Sequence, residues 1–259
     1  MHKQLQPQKL EKILPWIVPI LLLGIWQLSV QWGWLSNRIL PAPTDVIKAA
    51  FQLVITGELW NSLIISATRA LTGFLIGGSL GLILGLINGI FRAAAKILDT
   101  SIQMLRNIPH LALIPLVILW FGIGETAKIF LVAIGVLFPV YINTFYGILT
   151  VDVDLIEMGQ VYQLSFWQLL WEIMLPSALP SILVGVRYAL GIMWLTLIVA
   201  ETIGADSGIG YLAMNAREFM QTDIIVFSIL MYAVLGKLAD LLAKWLEVKL
   251  LSWHPSYQK

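Results

Sequence analysis

The sequence predicts an all-α polytopic membrane protein with six spans, and three observations lead there. Of the 259 residues, 59% are hydrophobic and only 12% charged, with a mean hydropathy of +0.85. Soluble domains carry roughly 25% charged residues, so this chain has too little polar surface to cover its cores in water. The apolar residues gather into six runs of about the length that crosses a bilayer, roughly 20 residues each. One of these runs carries glycine at every fourth position, a pattern that membrane helices use for close packing. The formal net charge of +1 argues against nucleic acid as a partner. The absence of cysteine rules out disulfides, thiol chemistry and cysteine-ligated metals. His2, His110 and His254 are too scattered in sequence to suggest a ligand cluster.

The first span is expected over about 13–32, behind a basic and polar tail at 1–12. "ILPWIVPILLLGIWQLSVQW" is long enough to span, and no small-x-small cleavage site follows it, so it reads as a retained helix. After it, Pro41 and Pro43 enforce an extended entry. A helix from about Val46 is expected next, capped by Thr44 or Asp45, with Val46, Ala49, Ala50, Leu53 and Val54 on one stripe lying along the membrane or the bundle. The second span, about 62–90, carries the glycine stripe: Gly73, Gly77, Gly81, Gly85 and Gly89. Glycine weakens a helix. Five in register therefore mark either close packing within the chain or a surface that slides against a neighbour. No Lys-Ser/Thr ending and no preceding strand make this a nucleotide-binding loop.

The third span, about 100–121, contains Pro109 and Pro115 and should be kinked or broken. The fourth is expected at about 127–148, the fifth at 182–203 and the sixth at 224–245. Polar residues inside these spans are few. Arg106, Arg187 and Lys237 can snorkel to an interface, and Arg69, Arg106 and Arg187 are each either anchors or aids to an anion. Glu201 is either an interfacial carboxylate or part of a path, and Met193, Trp194 and Thr196 lie deeper on the same helix as candidate path wall. With the N-terminus in the cytoplasm, Lys3, Lys9, Lys12, Arg92, Lys96, Lys244, Lys249 and Lys259 fall inside, against Arg38, Lys48, Lys128 and Arg217 outside. The positive-inside bias favours that orientation. It puts the residues after 248 in the cytoplasm, along with the loop at about 150–181.

That loop is the anomaly in the chain. "EMGQVYQLSFWQLLWEIMLPSALPS", Glu157–Ser181, is acidic and amphipathic between two apolar spans. Asp152, Asp154 and Glu157 suit a helix N-terminus. Ser165 can cap a second helix whose Phe166, Leu169, Leu170 and Ile173 form an apolar face, and Pro176 and Pro180 should break the run before span five. A helical hairpin with apolar knobs and carboxylates, and no nucleophile–base pair, fits docking rather than catalysis. A secondary transporter would need internal repeats and midplane ion sites, neither of which is evident.

The stretch resembles the cytoplasmic loop signature of binding-protein-dependent ABC importer permeases: EAA, three residues, Gly, nine residues, Ile, one residue, Leu-Pro. Glu157 matches the leading acid, Met158 and Gly159 stand at the alanines, and Ile173, Leu175 and Pro176 match the close. Gln163 occupies the glycine position, next to Leu164. "ILPAPTDV", "LRNIPHLALIPLVILWFGIGETAKIF", "FPVYINTFYG", "LPSALPSILVGVRYALGIMW" and "AETIGADSGIGYL" are similar to the aliphatic sulfonate, taurine and nitrate group of these permeases. The resemblance implies a six-helix, type I, MetI-like transmembrane domain over 13–248 in the bacterial inner membrane. It implies a permease homodimer amid membrane lipid, two cytoplasmic ATPase subunits that dock on the hairpin, and an extracytoplasmic substrate-binding protein. The chain would bind no cofactor itself, with ATP and Mg held on the ATPase. An aliphatic sulfonate is the expected cargo, with taurine, nitrate, bicarbonate or a thiamine or riboflavin precursor as alternatives.

Overall fold

The computed structural model describes residues 8–253, and the side chains of 8–13, 15 and 16 lie outside that description. The expected tail at 1–12 and the last residues from His254 therefore fall outside the described residues wholly or in their side chains. The described chain is helical throughout: α1 (Gln8–Gln31), α2 (Pro43–Ile55), α3 (Glu58–Ile90), α4 (Arg92–Arg106), a 3-10 turn (His110–Leu113), α5 (Ile114–Phe121), α6 (Glu125–Leu149), α7 (Val153–Val161), the single turn α8 (Phe166–Gln168), a π-helical turn (Leu169–Met174), α9 (Leu175–Thr202), α10 (Ile209–Glu218) and α11 (Thr222–Leu250).

The expectation of six spans is corrected by the helix lengths. Among the described residues, four helices are long and apolar enough to cross a membrane: Glu58–Ile90, Glu125–Leu149, Phe166–Thr202 and Thr222–Leu250. A fifth exists only if the pair Arg92–Arg106 and His110–Phe121 is taken as one span, and that pair is bent by 81°. The cause lies in the sequence between them. Pro109 ends the regular hydrogen bonding, Pro115 restarts it in the first turn of α5, and the eight residues of α5 reach only about 12 Å at 1.5 Å per residue. α4 carries Arg92, Lys96, Asp99, Gln103 and Arg106 and buries nothing. In α1 the apolar helix with described side chains is Ile17–Gln31, about 22 Å long against a hydrocarbon core of about 30 Å.

The chain divides into two units, 1–60 with 212–230 and 61–211 with 231–259. In the first, α2 starts at Pro43 because proline suits the first helical position, and Ala42 rather than Thr44 or Asp45 is the N-cap. Thr44 instead exchanges two 3.3 Å hydrogen bonds with the Gln27 amide of α1. Val46, Ala49 and Leu53 are the buried face of α2, while Ala50 is half-buried and Val54 exposed.

In the second unit α6 lies between α3 and α9. On the α3 side, Gly73, Gly85 and Gly89 face Val132, Thr144 and Ile148 so closely that a Cβ would come within 2.6–2.7 Å of those side chains. At Gly77 and Gly81 a Cβ would overlap the carbonyl oxygens of Ala133 and Leu137. The stripe is thus a groove into which the α6 backbone fits. On the α9 side, Gly185 packs on Pro139 and Asn143, and Gly147 on Ala178 and Ser181. Val132, Val136, Val140, Leu190, Met193 and Leu197 fill the core between the helices.

The prolines expected to break the chain before span five do not do so. Phe166–Thr202 runs as one 37-residue rod. The rod absorbs Pro176 by widening to π spacing over Leu169–Met174, which makes room for the ring where a regular turn would clash.

Candidate functional site

The hairpin is built by three local devices. Asp152 caps α7, its side chain accepting from the Asp154 N–H at 3.0 Å. The other end closes in a Schellman motif: the Leu164 N–H donates to the Gly159 carbonyl at 3.0 Å and the Gln163 N–H to the Gln160 carbonyl at 2.9 Å. That geometry requires a left-handed residue after the C-cap, usually glycine, and Gln163 takes it with φ +55°. The glycine position of the loop signature is therefore the helix-ending residue, and glutamine fills it at a backbone cost of about 1–2 kcal/mol. Ser165 and Gln168 then form a capping box, which satisfies the first N–H groups of the next segment.

Gly159 sits where the two arms meet, and a Cβ there would come within 2.7 Å of Leu169 and 2.8 Å of Ile173. Leu170 is buried behind them. Sequence reasoning put Phe166 on the same face as these leucines. Instead, Phe166 is exposed and stacks on Phe91 at 6.2 Å between ring centroids. The outer surface of the hairpin carries Tyr162, Trp167 and Trp171 at 66–74% exposure, with Met158 and Glu157 also exposed. Leu175 and Pro176, at the start of α9, are half-buried. The aromatic surface was missed, although two tryptophans in this acidic stretch were a visible signal.

A second constellation lies inside the unit. Arg69 of α3 and Glu201 of α9 are both buried and paired at 2.8 Å. Arg69 spends all five N–H donors: Nε and Nη2 on Glu125 at the start of α6, Nη1 on Glu201 and the Ser207 carbonyl, and Nη2 also on Ser207 Oγ. Glu201 additionally accepts from Ser66 Oγ at 2.8 Å, the Gly210 N–H at 2.9 Å and Tyr232 Oη at 3.2 Å. Ser66 Oγ in turn accepts from the Ile209 N–H at 2.9 Å. The loop between α9 and α10 is thereby fastened to α3, and Gly208, with φ +106°, has no room for a Cβ beside the Glu201 carboxylate. The two residues are 132 positions apart, so nothing in the sequence linked them.

Thr196, Met193 and Trp194 are buried on α9. Thr196 Oγ1 is 2.9 Å from His110 Nε2, which ties the broken segment after α4 to α9. Met193 and Trp194 belong to the main core. Beside His110 opens a cavity of about 280 Å³. No group of three or more metal-ligating side chains occurs among the described residues.

Residues 77–252 match the family described as binding-protein-dependent transport system inner membrane component. The chain belongs to that family. It is the permease subunit of an ABC importer, a multi-pass inner-membrane component that works with a separate ATPase and a substrate-binding protein. The permease is 62% identical over 95% of its length to a putative aliphatic sulfonates transport permease protein of Escherichia coli, covering 94% of that protein. It is 34% identical over 92% of its length to the taurine transport system permease protein of the same organism, covering 88% of it. The fold resembles a chain of the MetNI methionine ABC transporter in an inward-facing conformation, with a TM-score of 0.53 and 19% identity over 75% of the permease and 97% of that chain. The MetI-like fold stands, with the corrected span count.

Proposed function

We propose that the permease carries aliphatic sulfonates inward, and that its hairpin at about 150–181 takes the power stroke from the ATPase. The 62% identity to an aliphatic sulfonate permease along nearly the whole chain carries the substrate reading. Taurine, itself a sulfonate, is the cargo named for a more distant relative. A sulfonate is a fixed anion at every physiological pH, with an apolar tail that an apolar path tolerates without gripping it.

Docking rests on the exposed outer surface of the hairpin. Glu157 has no hydrogen bond or ion pair within the described residues, and Tyr162, Phe166, Trp167 and Trp171 present apolar surface beside it. Aromatic side chains of this kind anchor interfaces. Gly159, Leu164, Leu169 and Ile173 stiffen the two arms, and Leu175 and Pro176 join the hairpin rigidly to α9, so a push on the hairpin moves that helix. Two permease copies in the lipid, two ATPase subunits beneath them and one binding protein outside complete the machine. The hairpin faces the cytoplasm, and α9 and α11, crossing once each, bring the C-terminal tail to that face. The basic tail at 1–12, with Lys3, Lys9 and Lys12, is assigned there as well. Thr196 lines the path with Met193 and Trp194 behind it. Glu201, saturated with donors, holds the outer loop rather than touching cargo.

The test is growth of a strain lacking only this permease. Loss of growth on ethanesulfonate as sole sulfur source, with growth on sulfate intact, is expected. Unimpaired growth on every sulfonate tested, with nitrate uptake lost, would overturn the substrate.

A further inference from the structure

The break between α4 and α5 is the one irregular backbone stretch inside an expected span. In hydrocarbon, non-helical backbone persists only where protein buries it or a polar cavity takes it up. Here Ile108 and His110, from the break itself, line a cavity of about 280 Å³ whose other walls come from the end of α4, from α6 and from α9. Its polar side is Arg106 and His110, and its apolar side is Phe138, Ile142 and Ile192. No carboxylate lines it.

Arg106 differs from the other two arginines of the spans. Arg69 is paired with Glu125 and Glu201, and Arg187 with Asp240 and Glu247. Arg106 has no hydrogen bond and no acidic partner among the described residues. Arg106 is exposed at the cavity edge, so its charge is free to meet a ligand there. His110 is steadied by Thr196 at 2.9 Å and by close packing on Gly135, where a Cβ would come within 3.3 Å of the ring. One cation beside an apolar pocket smaller than most drug-sized sites, about 300–1,000 Å³, suits a small organic anion with a short tail.

We propose that this cavity is an anion stop on the path through the permease, with Arg106 facing the negative head and Phe138, Ile142 and Ile192 the tail. The identity of the anion as a sulfonate rests on the function proposed above. A single positive charge at the cavity mouth attracts an anion without holding it, as a carrier requires.

The chain has no cysteine, so Ile142→Cys creates a unique thiol in the cavity. It is labelled in the assembled importer, in phosphatidylcholine vesicles that hold no anionic headgroup, with modification read by mass on this chain alone. Two thiol reagents are compared, the anionic sulfonatoethyl and the cationic trimethylammonioethyl methanethiosulfonate. The anionic reagent is expected to react faster, and Arg106→Gln to lower the anion-to-cation rate ratio by about tenfold. Arg106→Lys should restore most of it, and Ser252→Cys, far along the chain, should show no dependence on Arg106. Ethanesulfonate should slow labelling at position 142. A ratio unchanged by Arg106→Gln, in an importer that still carries ethanesulfonate, overturns the anion stop alone. A ratio that falls as expected, with no protection by ethanesulfonate and no sulfonate uptake, overturns the sulfonate and leaves an anion stop for another cargo.

Discussion

Gln163 holds a left-handed backbone that glycine would adopt without strain, at the one point where the α7 helix must stop and reverse. Replacing it by glycine removes that strain but frees the unfolded chain, so Gln163→Gly should stabilise by no more than about 1 kcal/mol. A small rise in the melting temperature of the purified importer checks this, and a clear fall would mean that the glutamine side chain itself holds the hairpin. The glycine position of the loop signature was legible in the sequence. Its reason, a Schellman motif closing on Gly159, needed coordinates. Glu201 gives the opposite lesson. Its place near a helix end suggested an interface, and only the fold brings it to Arg69, Ser66, Tyr232 and Gly210. Glu201→Leu leaves Arg69 short of one partner and several buried donors unpaired. A loss of about 3–5 kcal/mol is expected, read as a fall in melting temperature, whereas Glu218→Leu, on the exposed end of α10, should change little.

At the scale of the helices, the fourfold spacing of glycines on α3 announced a groove, and α6 lies in it with backbone against backbone. Gly81→Leu must push the Leu137 carbonyl and Val140 away, and loss of folded permease from the membrane is expected on immunoblot. Gly78→Ala is the control, because its Cβ would meet Val136 and Phe74 only at 3.8–3.9 Å; it should assemble normally. The number of spans was less legible. Apolar runs of similar hydropathy were visible in six places, but the charges of α4 and the two prolines after it decide that this segment bends by 81° rather than crossing straight. Pro176 and Pro180 suggest a break because proline removes a donor, yet both lie within α9. The π turn that accommodates Pro176 lies in the path of the backbone and carries no sequence signature of its own. The sequence carries no helix signal at α10, whose ten residues sit among the glycines and polar residues of "GADSGIGYLAMNARE".

Across the whole molecule, the sulfonate importer reading makes the hairpin the place where ATP energy enters this chain. Glu157 is exposed there and has no ion pair among the described residues, so reversing its charge should leave insertion and folding unchanged while weakening the grip of the ATPase. The most direct test is ATP-driven uptake of ethanesulfonate by the complete importer reconstituted in vesicles, with its binding protein supplied outside. The wild type is expected to accumulate the sulfonate only with ATP and the loaded binding protein. Glu157→Lys is expected to lose at least about nine-tenths of that uptake, the equivalent of about 1.4 kcal/mol of coupling, with permease content in the vesicles unchanged. Uptake without ATP, or full uptake by Glu157→Lys with the ATPase bound in normal ratio, would contradict the account.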